Sequence, residues 1–247
     1  MSINFNDTGS YNFWSQQSAS LHRYDTDEFY LDKANEHVHL MRKNDREVGA
    51  IDLGCGAGEL LQHLISQVYI KTALDYSDAM LSEAKSRLGD HAPELKNEDV
   101  FDYLSDTATP VWLTTGALNQ YLTPAQTIKL IKIFKANTNA QSFYLFDCVD
   151  PIRYGLMNIG ISFNPEDMFT DKLPIHKRLS RYLRRVHLLF RMIIKDTKDF
   201  SYLGSPSMGY GYLPKFWLRL GNELGLSIRM ASSRHYEYRY HVIFNKI

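Results

Sequence analysis

Apolar and polar positions along this chain switch repeatedly between two patterns. Short apolar runs at 50–53, 70–74, 110–114 and 142–147 have the length and composition of buried strands. Residues 94–101 add a weaker strand with its exit loop. Between these runs, residues 26–43, 59–67, 77–88 and 124–135 repeat apolar side chains at near-helical spacing. Ser77 or Asp78 is placed to cap the third of these helices, and Thr123-Pro124 opens the fourth. Strand and helix in alternation imply a parallel sheet covered by helices on both faces.

The end of the chain reads differently. A helix over 215–224 stops at Gly225, and two alternating segments follow at 226–231 and 237–245. In the second, Tyr238, Tyr240, Val242 and Phe244 share one face, and Arg239, His241 and Ile243 share the other. That is a final antiparallel hairpin. The stretch 151–213 is too long for a plain connection and reads as an insertion in a single domain spanning 1–247. Within it, residues 172–198 carry nine Lys or Arg and one acid, Asp196.

Composition narrows the partners. The chain has 247 residues, 44% of them apolar, and a formal net charge of zero. No global field therefore favours nucleic acid or membrane. No run reaches the ~18 apolar residues of a spanning helix, and the first residues lack a signal-peptide pattern. The two cysteines, Cys55 and Cys148, have no metal-ligand partner at short spacing. A reduced, cytoplasmic setting is expected. Cys55 is most simply a small residue in a tight turn.

Candidate chemistry concentrates where the first strand ends, at Asp52-Leu53-Gly54-Cys55-Gly56-Ala57-Gly58. Glycines there allow a sharp turn and close approach of a ligand to the backbone. Asp75 follows Gly58 by 17 residues, at the end of the second strand. A carboxylate there can accept both hydroxyls of a ribose. The G-x-G-x-G spacing differs from the dinucleotide fingerprint, whose third glycine stands one residue later. It resembles motif I, D-x-G-x-G-x-G, of the class I S-adenosylmethionine (SAM) dependent methyltransferases. Asp75-Tyr76-Ser77-Asp78-Ala79-Met80-Leu81 resembles that family's second motif.

The resemblance covers about 21–150 and 213–247. It implies an α/β, Rossmann-like, doubly wound seven-stranded sheet with an antiparallel last strand and a lid insertion at about 151–213. The cofactor it implies is SAM, held by Asp52, Gly54, Cys55, Gly56, Asp75, Tyr76 and Met80. Arg23 and Tyr24 would close over the amino-acid end, although a staple and cap before the first helix explain them equally well. Asp99, with Val100, would lie near the adenine, with Asp102 as the alternative acid. Thr115 belongs to the loop that supports the transferring methyl. That loop lacks the Asn-Pro-Pro-Tyr type signature, which argues against a nucleobase amino group as acceptor.

Methyl transfer requires no metal and no covalent intermediate, and none of the familiar metal or nucleophile motifs occurs. If a general base acts, Asp150, His176, His187 and His241 are candidates among which the sequence does not choose. Asp150, Arg153, Tyr154, Tyr210 and Tyr212, at the ends of the insertion, are the expected acceptor contacts. The expected acceptor is a hydroxyl or amine of a small molecule or saccharide. An RNA methyltransferase using the basic segment, and a SAM-binding protein without transferase activity, are the alternatives.

Overall fold

The computed structural model describes residues 26–104, 107–116, 118–158, 202–205 and 209–247. Helix α1 (Asp27–Leu40) precedes β1 (Ala50–Leu53), α2 (Leu61–Leu64), β2 (Ile70–Asp75) and α3 (Asp78–Leu88). Then come β3 (Glu94–Asn97), α4 (Val100–Tyr103), β4 (Val111–Thr114), α5 (Leu118–Tyr121), α6 (Pro124–Ala136) and β5 (Ser142–Val149). Helix α7 (Pro151–Asn158), strands β6 (Tyr202–Ser205) and β7 (Gly209–Tyr212), α8 (Pro214–Leu224), β8 (Leu226–Ser232) and β9 (Arg239–Lys246) complete the order.

Seven strands form one sheet in the order β3-β2-β1-β4-β5-β9-β8, and β6 pairs with β7 as a separate hairpin. Strands β1 to β5 run parallel, while β9 is antiparallel to both β5 and β8. The expected doubly wound sheet with its antiparallel last strand is therefore present. Alternation along the strands supplies two cores. Trp112, Phe143, Val242 and Phe244 point to one face, where Phe134 and Trp217 cover them. Leu113, Tyr144, Phe146 and Ile243 point to the other, with Ala34, Val38, Leu61 and Leu64.

Local chemistry explains the helix boundaries. Thr26 accepts a hydrogen bond from Phe29 N (3.1 Å), and Asp27 and Glu28 sit in the first turn of α1. Ser77, rather than Asp78, caps α3. Thr123 and Gln126 form a capping box at α6, with Pro124 in the first turn. Gly225 takes the left-handed conformation that ends α8 (φ 60°). Two expectations change. The second helix shrinks from 59–67 to Leu61–Leu64, because the glycine turn runs on through the preceding residues. The insertion begins with a helix and returns as a hairpin; its basic stretch, with His176 and His187, lies outside the described residues.

The aromatic core around α8 hangs on one hydroxyl. Trp217 Nε1 donates to Tyr240 Oη (2.7 Å), which in turn donates to the Tyr212 carbonyl. Trp217 and Tyr212 are fully buried and Tyr240 nearly so. Tyr240→Phe strands an indole N–H and a carbonyl while keeping the ring, so it should cost about 1–3 kcal/mol. Urea unfolding checks this; an unchanged midpoint would show that the bridge contributes nothing.

Candidate functional site

The strand order reverses between β1 and β4, and in such sheets ligands collect outside the carboxyl ends of the strands at that point. A cleft of about 180 Å³ opens there. Its floor is the glycine turn after β1 and the Thr115-Gly116 exit of β4. Asp75, Tyr76 and Met80 form one end, and Tyr30 and Lys33 of α1 form a wall with Tyr236 and Arg239. Leu118, Tyr121 and Asp147 close the remaining side.

The turn is held by backbone bonds to the neighbouring strand. Gly54 N and Cys55 N both donate to the Leu74 carbonyl (2.8 and 2.9 Å). Gly54, Gly56 and Gly58 all have positive φ, between 58° and 78°. An added Cβ on Gly56 meets nothing within 4 Å, so a bare stretch of backbone faces the cleft. The fit at Gly116 is the opposite, since a Cβ there would stand 2.2 Å from the Gly54 carbonyl oxygen. Both carboxylate oxygens of Asp75 are engaged from below: Oδ2 accepts from Gly56 N and Oδ1 from Ser77 N, each at 2.9 Å. Burial raises the Asp75 pKa, opposed by those amides.

Asp52 does not line the cleft. It is fully buried and holds the β4 exit, with Oδ1 accepting from Thr115 N (2.9 Å) and Oδ2 from the Thr115 hydroxyl. Burial pushes its pKa up to about 7 against the two Thr115 bonds, with nearby Asp75 adding to the rise. Cys55 lies in the floor, but burial drives its thiol pKa well above the ordinary value, which keeps it protonated.

Of the sequence-predicted residues, Gly54, Cys55, Gly56, Asp75, Tyr76, Met80 and Thr115 come together here. Asp99 and Val100 do not line this cleft. Asp99 accepts from Phe101 N (2.7 Å) at the start of α4, and Val100 is buried in the core. Arg23 and Tyr24 lie outside the described residues.

The expected acceptor residues separate. Asp150 caps α7, accepting from Ile152 N and Arg153 N (2.9 and 3.1 Å). Arg153 and Tyr154 are exposed on that helix, where Tyr154 packs on Tyr238 with ring centroids 5.2 Å apart. Tyr210 is partly buried against the core. Tyr212 is a correction: it is fully buried, and its hydroxyl donates to the Leu122 carbonyl, so its ring offers no face to an acceptor.

The sequence reading missed the charged wall. Lys33 is ion-paired with Asp147, whose carboxyl is the one facing the cleft where Asp150 was expected. Asp147 has φ 56°, the single positive φ among described residues other than glycine. Burial alone would raise its pKa, but Lys33, Arg239 and the flanking His37 and His241 hold it well below the usual carboxylate range. Arg239 lies over the Tyr236 ring at 4.8 Å, and Lys33 approaches the same ring at 5.4 Å. His241, one of the suggested bases, is buried behind this wall, and its Nδ1 accepts from Asp147 N (3.3 Å). The available signal was Asp147 ending a strongly apolar strand; nothing in the sequence paired it with Lys33.

Residues 50–136 match the family model described as a methyltransferase domain. The fold around them is the class I arrangement, and the matched residues hold the motif I turn and Asp75. About a third of the chain thus carries a methyltransferase-domain match, within a sheet of the same class I order. Solved structures share the fold of this chain at low identity. The DhpI-SAM-HEP complex is 13% identical with a TM-score of 0.57, over 96% of this chain and 95% of that one. Magnesium protoporphyrin IX methyltransferase (ChlM) from Synechocystis PCC 6803 with bound SAH is 16% identical, with a TM-score of 0.55 over 96% and 94%. The methyltransferase domain of bacterial CtHen1-C is 16% identical, with a TM-score of 0.53 over 87% and 98%. No curated protein sequence matches significantly. Among described residues, no helix is long and apolar enough to cross a membrane.

The raised Asp52 pKa sets a pH dependence. Folding takes up a proton at Asp52 between its ordinary value of 3.8 and about 7. The folded state binds more protons in that window, so stability should fall as pH rises through it, with a slope approaching about 1.4 kcal/mol per unit. Urea unfolding of Asp52→Asn should give a flatter profile over the same window. Profiles that run parallel in variant and wild type would remove Asp52 as the cause.

Proposed function

We propose that this protein is a class I SAM-dependent methyltransferase that transfers a methyl group to a hydroxyl or amine of a small molecule, bound at the tyrosine-lined end of the cleft. The observation that carries this reading is the wall opposite Asp75, where Tyr30 and Tyr236 meet Lys33, Arg239 and the buried Asp147. Flat aromatic faces with a few fixed charges suit a compact polar acceptor. Two structural neighbours named above support this: one is described by a complex with SAM and HEP, and the other by magnesium protoporphyrin IX. The residues present fit the cofactor. Asp75, fixed by backbone amides of Gly56, Tyr76 and Ser77, would accept from ribose hydroxyls with its remaining lone-pair capacity, and the open backbone at Gly56 permits close approach. When bound, SAM supplies an activated sulfonium methyl.

The chain's own part is to bind, orient and exclude water. Gly54 and Gly56 with Thr115 would seat the methionine portion, and Asp75 with Tyr76 and Met80 the nucleoside. Asp147 and Lys33 would orient the acceptor. We assign residues 1–247 to one domain, with 151–213 as the acceptor's lid and Arg153, Tyr154 and Tyr210 at its rim. A cytoplasmic location agrees with two buried free cysteines.

Two experiments test this. Asp75→Ala should weaken SAM binding by about 1.5–3 kcal/mol in calorimetry on the folded variant; an unchanged affinity would take Asp75 out of the site. Labelled SAM should deliver its methyl to members of a metabolite panel with little dependence on salt. Transfer confined to an RNA panel, falling steeply as salt rises, would overturn the small-molecule reading.

A further inference from the structure

Behind the charged wall, three side chains from three distant elements converge. His37 comes from α1, Asp147 from β5 and His241 from β9. All three are buried, and their ligand-capable atoms lie within 4.8 Å of one another. We propose that His37, Asp147 and His241 form a site for one divalent first-row transition ion, of the kind that two imidazoles and a carboxylate bind. Such a set leaves coordination positions open, and the Asp147 side of it borders the cleft.

Unsatisfied groups point to the same place. Both ring nitrogens of His37 and Oδ1 of Asp147 are buried with neither a hydrogen-bond nor an ion-pair partner, while Oδ2 of Asp147 is ion-paired with Lys33 and Nε2 of His241 faces Glu36. Buried polar atoms in native proteins nearly always have partners, and a cluster of orphans calls for an ion or water. Ligation would satisfy one nitrogen of His37, whose ring is already fixed by stacking on Phe146 at 3.8 Å. Asp147 has a left-handed backbone, and Lys33 engages Oδ2, which leaves Oδ1 without a hydrogen-bond partner.

The surroundings also have the form that orients metal ligands. His241 Nε2 lies 3.5 Å from Glu36 Oε1, and Glu36 is itself held by Arg234 N at 2.6 Å. A histidine that ligates through one nitrogen typically donates from the other to a carboxylate. That arrangement assigns Nδ1 of His241 to the ion in exchange for its 3.3 Å contact with Asp147 N. The nearby cations Lys33 and Arg239 oppose the ion's charge, and the carboxylates of Asp147 and Glu36 offset them.

The test uses tag-free, chelator-treated protein titrated with Co2+, followed by its visible absorption, and then with Zn2+ as competitor. One equivalent of Co2+ should bind and be displaced by Zn2+. Asp147→Asn, a residue type that tolerates the left-handed conformation, should abolish the signal, as should His37→Gln. Glu36→Gln should weaken binding about 10- to 100-fold. His63→Gln, away from the cluster and paired with Asp27, should bind like wild type. Circular dichroism confirms that each variant is folded. Absence of saturable one-to-one binding, or binding that Asp147→Asn leaves intact, would overturn the site. Calorimetry with SAM on the same samples separates the two readings, because SAM binding without Co2+ binding removes the metal site alone.

Discussion

The two hydrogen bonds that Thr115 donates to Asp52 cross the seam on which the whole cleft depends. On either side of this seam the chain leaves β1 and β4 toward opposite faces of the sheet, and beyond the strand ends no ladder bond joins the two exits. A buried carboxylate on β1 replaces that missing ladder by gripping both the amide and the hydroxyl of Thr115. Gly116 then passes so close to the Gly54 carbonyl that no side chain fits between them. The floor is thereby set to one width, and the bonds from Gly54 and Cys55 to Leu74 extend the same rigidity to Asp75.

The far wall follows a different logic. Helix α1 buries Lys33, Glu36 and His37 beside Ala34 and Val38. Burying such groups singly would be costly, and they are tolerated because polar partners from β5, β9 and the turn before β9 meet them there. Lys33 meets Asp147, and Glu36 meets His235 and His241. The register of β5 against β9 shifts between Leu145 and Cys148, which is where Asp147 adopts its left-handed backbone. An irregularity in an otherwise regular pair thus turns one carboxylate out of the ladder and toward the cleft.

These two halves differ in how far the sequence revealed them. The glycine turn, Asp75 and the capping of α3 and α6 are local: each depends on residues within a turn or two of one another, so spacing alone conveys them. Strand–helix alternation and the period-two pattern of the last hairpin convey a parallel sheet with an antiparallel end, and the doubly wound order is what the resemblance implied. The wall is non-local. Lys33 sits where helical periodicity expects an apolar residue, and its partner Asp147 hides at the end of the run Phe143-Tyr144-Leu145-Phe146. Asp150, three residues later, was the expected acidic residue, and its oxygen caps α7 instead. Tyr212 shows the same limit, since alternating glycine and tyrosine does not say which ring the core takes.

The ends of the long excursion after β5 meet at one point. A Cβ on Gly211 would lie 3.0 Å from the Val149 carbonyl and 3.2 Å from Pro151, so the chain departs and returns side by side. Gly209 is pinned in the same way against Gln120 of α5. Anything carried between such closely spaced anchors can be lengthened, shortened or exchanged at small entropic cost without disturbing the sheet. The scaffold therefore accepts that stretch as a cassette, and grafting a different one between Pro151 and Gly209 is a route to redirecting the same cleft to new acceptors.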